Sequence, residues 1–464
     1  MGNAFRSFLL YVLLMTGFGR IKCMKEEILV KVQELQFWDE KSTHAPRHFS
    51  NSMQIPRTAP KSSALLELKH QISPSSVNNF HEQLLLSDNA RASSLQSQLR
   101  PPHFQQPVTR LPLTPGVALH TLNYIIDIKI ANASMPVIVD TGSDLTWVQC
   151  KPCVNCYIQQ KPLYDPSASS TYHPVPCNST SCSSIFASVA CGNMTDCGYS
   201  LRYGDGSYTR GVLALERISL GDAEVQGFIF GCGMSNGGLF GIASGLVGLG
   251  RTKLSLVSQT KAQFRGVFSY CLPSRVYNSS GNLILGSDSS SYKNATPLAY
   301  TRMLQGPRQA PFYFLNVTNV RVGEVELGLP KGSRVLIDSG TVITRLVPSL
   351  YNAVRDEFLK QFSGYPTTAA YLILDTCFDL SKYEEVRVPK LGLGFEGGAK
   401  MNVDVSGILY FVKKDASQVC LAMTSLADED GVGIIGNFQQ KNQRVVYDNV
   451  GARVGFGEEK CSYS

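Results

Sequence analysis

From Leu122 onward, apolar and polar positions alternate with a period of two. The stretch "NYIIDIKIANASMPVIVDTG" predicts two strands joined by a turn. The stretches "GFIFGC", "GNLILG", "FYFLNVTNVRVG" and "NQRVVYDNVGARVGFG" have the same form. Helical periodicity is scarce in this region. Its best instance follows "IDSGTVITRL": Ser349 is placed to cap a helix, Leu350, Val354, Phe358 and Phe362 share one face, and Gly364 ends the pattern. A shorter helix is predicted within "LSLVSQTKAQF". The body of the chain is therefore expected to be mainly β.

The first 115 residues differ. Arg6 precedes an apolar stretch of about ten residues, too short to span a bilayer and of the form of a secretory signal peptide, over 1–23. Residues 24–115 are rich in Ser, Gln and Asn. Two weakly helical stretches, "EEILVKVQELQFW" and "FHEQLLLSDNARASSLQSQL", precede the proline-marked linker "RPPHFQQPVTRLPLTP". A cysteine-free leader before a cysteine-rich body suggests a pro-segment. At 464 residues the chain exceeds a single core, so two lobes are expected, over 116–290 and 291–464.

An internal repeat supports two lobes. Asp140-Thr-Gly-Ser in "VIVDTGSDLTWV" recurs as Asp338-Ser-Gly-Thr in "VLIDSGTVITRL". "SGLVGLG" follows the first and "VGIIGNF" the second: Gly248 lies 108 residues after Asp140, and Gly436 lies 98 after Asp338. Two related β halves, each with one aspartate loop and one apolar strand ending in Gly, imply lobes that face each other.

Charge and cysteine narrow the picture. The net charge is +7, and +5 of it lies in residues 1–110. No basic patch is interleaved with aromatics, which argues against a nucleic-acid partner. The C-terminus "GFGEEKCSYS" has no hydrophobic tail of the kind that a lipid anchor replaces. Beyond Cys23 of the signal region, twelve cysteines remain, an even number suited to an oxidised, secreted protein. Sequons at Asn132, Asn178, Asn193, Asn278, Asn294 and Asn316 agree with that route. The Cys150, Cys153, Cys156 spacing could suit zinc, but secretion favours disulfides, whose connectivity spacing alone does not give.

The two aspartates carry the candidate chemistry. An unpaired carboxylate at the end of a buried strand is costly. If the lobes meet about a pseudo-twofold axis, Asp140 and Asp338 become neighbours. Gly142 and Gly340, lacking Cβ, let the loops approach. Two close carboxylates share one proton, giving one acid and one base around a water. Such a pair hydrolyses a peptide bond, and aspartic proteases are the familiar instance of this shared-proton arrangement. Ser143 and Thr341 are placed to donate hydrogen bonds to the carboxylates, and Thr141 and Ser339 to tie each loop to the other. No cofactor or metal is required.

Residues 122–464 resemble the pepsin-like aspartic proteases, specifically the plant nepenthesin-type group. The resemblance rests on "DTGSDLTWVQC", "YGDGSYTRGVLALE", "FGCG", "SGLVGLGR", "FSYCLPS", "IDSGTVITRL", "LDTCFDLS", "CLAM" and "IIGNFQQKNQRVVYD". It implies a bilobal fold and a β-hairpin flap carrying Tyr203, Gly204 and Asp205, with Trp147 supporting Tyr203 through its indole N–H. It implies an extended peptide or protein as substrate, with side chains in alternating pockets. It also implies a zymogen whose basic leader lies across the cleft, though no blocking residue can be named; acid-triggered self-processing is expected near 105–120. Six disulfides are implied: Cys150–Cys153, Cys156–Cys232, Cys177–Cys197, Cys182–Cys191, Cys271–Cys461 and Cys377–Cys420. The implied protein is a monomer on the secretory route, bound for the cell wall or apoplast, with vacuole and plastid as alternatives.

Rival motifs are weak. "GMSNG" fits a serine nucleophile elbow, but only His120 and His173 follow the leader, and the glycine-rich "GGLFGIASG" does not suit the helix an elbow requires. "LDTC" lacks the glycine, so Asp375 reads as structural beside a disulfide. A pepsin-like fold that has lost catalysis and serves as an inhibitor or binding protein is the rival of another class; both aspartate loops are intact here. The chain departs from the group at "ANAS" before the first aspartate, where relatives carry Gly-Thr-Pro. Ser339 in place of Thr is frequent in the group.

Overall fold

The computed structural model describes residues 27–32, 64–70, 77–99, 123–183, 191, 195–274, 281–287, 292–306, 311–329 and 333–461. The signal region, the linker at 100–115 and the processing region near 105–120 lie outside these residues, as do Asn193 and Asn278.

The body is mainly β and bilobal. In the N-terminal lobe, Tyr124–Ile130 and Ala133–Asp140 pair antiparallel across a turn at Ala131 and Asn132. The second of these strands is buried from Met135 to its aspartate, as its unbroken apolar run requires. Gly245–Gly248 runs parallel to it, with Gly248 opposite Asp140. Trp147–Gln149 pairs antiparallel with that glycine strand and parallel with Ala223–Gly237.

The C-terminal lobe repeats this arrangement. Arg334–Ile337 pairs parallel with Gly433–Ile435, and Thr344–Leu346 pairs antiparallel with the same strand. The repeated glycines now have a physical reason. A Cβ on Gly248 would lie 2.2 Å from the Asp144 backbone, and one on Gly436 would lie 2.4 Å from the Val342 carbonyl. In each lobe the return strand crosses the aspartate loop at backbone distance, which excludes any side chain.

A sheet containing Val267–Cys271, Gly281–Leu285, Gln443–Asp448 and Arg453–Glu458 joins the lobes. Its core includes stacked Phe268 and Tyr447, with ring centroids 4.5 Å apart.

The helix expected after the second aspartate forms over Pro348–Gln361. It buries Leu350, Val354 and Phe358, and Phe362 follows as its buried C-cap. Its N-cap is Val347 rather than Ser349. Pro348, with its fixed φ, takes the first helical position, and the Ser349 hydroxyl donates instead to Glu429 at 2.9 Å. "LSLVSQTKAQF" divides into two short helices, Leu256–Gln259 and Lys261–Phe264. Asp375 meets the Tyr351 hydroxyl and lies 3.5 Å from Arg355.

The leader is built into this body. Of its first weakly helical stretch, the described residues Glu27–Lys31 instead form a strand paired with Glu385–Pro389. Tertiary pairing there overrides a weak local preference. Ala64–His70 adds a strand to the inter-lobe sheet, between Gly281–Leu285 and the start of the N-terminal lobe. The second stretch is helical as expected, over Val77–Leu99.

Four of the six disulfides pair differently from the family-based expectation. Cys271–Cys461 and Cys377–Cys420 are as expected. Cys150 joins Cys232, not Cys153, and Cys156 joins Cys153, not Cys232. The reason is register: Val148 lies opposite Cys232 and the Cys150 N–H donates to the Gly233 carbonyl, which sets the Cys150 and Cys232 Cα atoms 5.4 Å apart. Cys182 joins Cys197 and Cys177 joins Cys191. The short helix Thr180–Ser183 places Cys182 near buried Cys197. Cys177, Cys182 and Cys191 are close enough to hold a metal ion, but each is committed to a disulfide.

Candidate active site

The two aspartate loops meet at the seam between the lobes. Asp140 and Asp338 are both fully buried. Each carboxylate is held in the same way: the Gly142 N–H donates to Asp140 at 2.9 Å and the Gly340 N–H to Asp338 at 2.9 Å. The Ser143 and Thr341 hydroxyls each donate at 2.6 Å. The loops also hold each other. The Thr141 N–H donates to Ser339 Oγ at 3.1 Å, and the Ser339 N–H to Thr141 Oγ1 at 2.9 Å. How close the loops come is measured at the glycines. A Cβ on Gly142 would lie 2.8 Å from Asp338 Oδ1, and one on Gly340 would lie 2.3 Å from Asp140 Oδ1.

A guanidinium sits between the carboxylates. Arg91 of the leader helix donates from Nη2 to Asp140 at 2.7 Å and from Nε to Asp338 at 3.0 Å. Burial alone would weaken its charge, but the two aspartates outweigh burial and hold it protonated. Burial pushes Asp140 above its ordinary value, with Arg91 pulling the other way. Burial would push Asp338 up too, but Arg91 and the Thr341 hydroxyl carry it below its ordinary value. The environments of the two carboxyls thus push their proton affinities apart.

The hairpin expected to serve as the flap is formed by Gly198–Arg202 and Tyr208–Leu220. Tyr203 is at its turn and accepts a hydrogen bond from Trp147 Nε1 at 2.8 Å; both rings meet Phe240 edge-on. Asp205 braces the turn by accepting the Ser207 N–H at 2.9 Å. The leader helix lies against this flap. Ser87 Oγ donates to Asp205 at 3.1 Å, and a Cβ on Gly204 would lie 2.6 Å from the Arg91 carbonyl.

Sequence reasoning missed Arg91 and its neighbours on the helix. Leu84, Leu85, Asp88, Ala92 and Leu95 are buried, and Arg91 falls on the same stripe. Charged residues inside an apolar helical stripe were the available signal, since such charges need buried partners. The body buries the apolar part of the stripe: Leu84 and Leu85 pack with Val342, Ile343 and Phe438, and Ala92 and Leu95 with Phe312, Phe314 and Ile434.

Residues 124–287 match the family described as Xylanase inhibitor N-terminal, and residues 312–458 its C-terminal counterpart. An aspartyl protease family protein of Arabidopsis thaliana is 40% identical over 91% of this chain and 92% of its own. The aspartic proteinase nepenthesin-1 of Nepenthes gracilis is 33% identical over 74% of this chain and 78% of its own. The chain belongs to the plant pepsin-like aspartic protease family. Solved structures agree on the fold. The aspartic proteinase from Irpex lacteus superposes with a TM-score of 0.53 at 17% identity, over 74% of this chain and 96% of its own. Conglutin gamma from lupine seeds gives 0.61 at 18% identity, over 86% and 95%. Against this family background, both aspartate loops of the present chain are complete. No helix among the described residues is long and apolar enough to cross a membrane. Of the sequons, Asn132, Asn178 and Asn294 are exposed and Asn316 is half-buried within a strand.

Proposed function

We propose that this chain is an aspartic endopeptidase made as a secreted zymogen. The reading has residues 1–23 as signal, 24–115 as pro-segment and linker, and the lobes over 116–290 and 291–464. The observation that carries it is Arg91, a leader cation seated between Asp140 and Asp338, where a water would otherwise bridge them. With the leader displaced, the pair shares one proton. The ionised carboxylate takes a proton from the water, whose oxygen attacks the peptide carbonyl carbon. The protonated carboxyl gives its proton to the carbonyl oxygen. As the tetrahedral adduct collapses and the C–N bond breaks, the carboxyl that took the water's proton gives it to the leaving nitrogen, the other carboxylate takes a hydroxyl proton from the adduct, and the pair again holds one proton. Ser143 and Thr341 keep both carboxylates oriented through the cycle. Tyr203, Gly204 and Asp205 close over an extended peptide.

The family's inhibitor description suggests a non-catalytic binding protein instead. Two complete, mutually bonded aspartate loops support the enzyme. The deciding experiment is hydrolysis of a denatured protein at acid pH by processed chain. Pepstatin-sensitive cleavage that is lost in Asp338→Asn supports the reading, and cleavage retained in that variant overturns it. Normal maturation of Asp140→Ala without other proteases would exclude self-processing.

A further inference from the structure

Asp88 and Arg91 leave the leader helix nearly one turn apart and reach different parts of the cleft. Asp88 is buried; it accepts the N–H of Val342, the N–H of Ile343 at 3.0 Å and Arg345 Nη2 at 2.9 Å. Arg345 is itself only 2% exposed. Its Nη1 donates to Asn89 at 3.0 Å, and its Nε has no partner. Among the described residues, every hydrogen bond of this guanidinium therefore goes to the leader. A body that sheds its leader is left with a buried cation and two N–H groups aimed into the cleft, a costly arrangement unless another acceptor arrives.

We propose that Arg345, with the N–H groups of Val342 and Ile343, is a substrate subsite for an acidic side chain, and that Asp88 fills it in the latent chain. The inference rests on the proposed protease function, in which the leader is displaced from the catalytic cleft. Arg345 lies seven residues after Asp338, and Val342 lines the same cavity as Asp140, Tyr203 and Gly340. A peptide crossing that cavity passes the subsite on its way over the aspartates. The leader presents its carboxylate from a helix and the substrate from a strand; only the carboxylate's position is shared. A planar guanidinium flanked by N–H donors fits the two oxygens of a carboxyl group and rejects an ammonium group.

The test uses enzyme processed from the full chain and a set of peptides amidated at the C-terminus, so that only side-chain carboxylates are read. One position at a time carries Glu, Gln or Lys, at about pH 5.5, where peptide carboxylates are ionised. At one position, kcat/KM for Glu is expected to exceed that for Gln about tenfold or more, with Lys the poorest. In Arg345→Gln that ratio falls to about one, and Arg345→Lys keeps part of it. Each ratio is taken within one enzyme, so differences in folded fraction cancel. Neutral peptides cut with no position favouring Glu would overturn the subsite and leave the protease reading standing. So would a Glu preference that survives in Arg345→Gln. Failure to cut any peptide, neutral ones included, would overturn the protease reading and the subsite with it. If Arg345→Gln does not fold, the wild-type scan and Arg345→Lys decide.

Discussion

Asp144 is a third carboxylate beside the pair, four residues after Asp140. Its Oδ1 accepts the Thr252 N–H at 2.9 Å, but burial dominates and pushes its pKa up to about 6. A carboxyl raised in the folded chain binds more protons folded than unfolded between its ordinary value of about 4 and its raised one. Stability therefore falls as pH rises through that window. Asp144→Asn keeps an acceptor for Thr252 and removes the buried charge. Its stability is expected to equal wild type below about pH 4 and to exceed it well above pH 6, by roughly 3 kcal/mol. Chemical denaturation at the two pH values checks this. Trp147 tests a different residue-scale idea, that the flap tyrosine is placed from below. Trp147→Phe removes the donor to Tyr203, whose hydroxyl then lacks its partner, at a cost of about 1–2 kcal/mol. If the Tyr203 hydroxyl positions the flap over substrate, processed enzyme shows a fall in kcat/KM beyond its loss of stability.

At the scale of elements, the leader helix is where expectation and structure part most. The strands of the body, the paired aspartate loops and the bonds between Thr141 and Ser339 follow from alternation and repeat, because each is set by local sequence and symmetry. The leader's role was legible only as a net charge. Its helix is weakly amphipathic on its own, and the meaning of Asp88 and Arg91 depends on partners 49 to 257 residues away in the chain. The disulfide swap has the same origin: a register between Trp147–Gln149 and Ala223–Gly237 decides which cysteine faces Cys232, and spacing does not contain that register. The helix makes a sharp prediction. Arg91→Ala leaves two facing buried carboxylates without their cation and removes about 3 kcal/mol of docking energy. Unprocessed Arg91→Ala chain is expected to cleave a small quenched peptide under conditions where unprocessed wild type does not. Latency equal to wild type would show that the strands and Asp88 alone keep the cleft closed.

For the whole molecule, the proposed latency becomes a matter of proton linkage between leader and body. Arg91 faces Asp140 and Asp338 directly, and Asp205, Tyr203 and Asp88 lie within its electrostatic reach. It lowers the proton affinity of Asp140 and Asp338 relative to the same site without it. When the helix leaves, the pair regains that affinity and takes up a proton, so docking must weaken as pH falls. The window lies between the proton affinity of the pair without Arg91 and the lowered value of Asp338 beside it: docking weakens as pH falls through that range. Asp88 acts in the opposite sense. Burial outweighs Arg345 there and raises its pKa, so the docked helix holds that proton more tightly than the free one and mild acid favours docking. The two effects predict a leader that grips slightly better on mild acidification and lets go only in stronger acid. Hydrogen exchange of the amides of residues 84–96 in the intact chain, corrected for the intrinsic chemical rate, should show protection rising and then collapsing as pH is lowered from 7 to 3. Asp88→Asn should remove the rise and keep the collapse. Arg91→Gln should remove the collapse; a collapse that persists in that variant would place the acid-sensitive contact elsewhere in the leader.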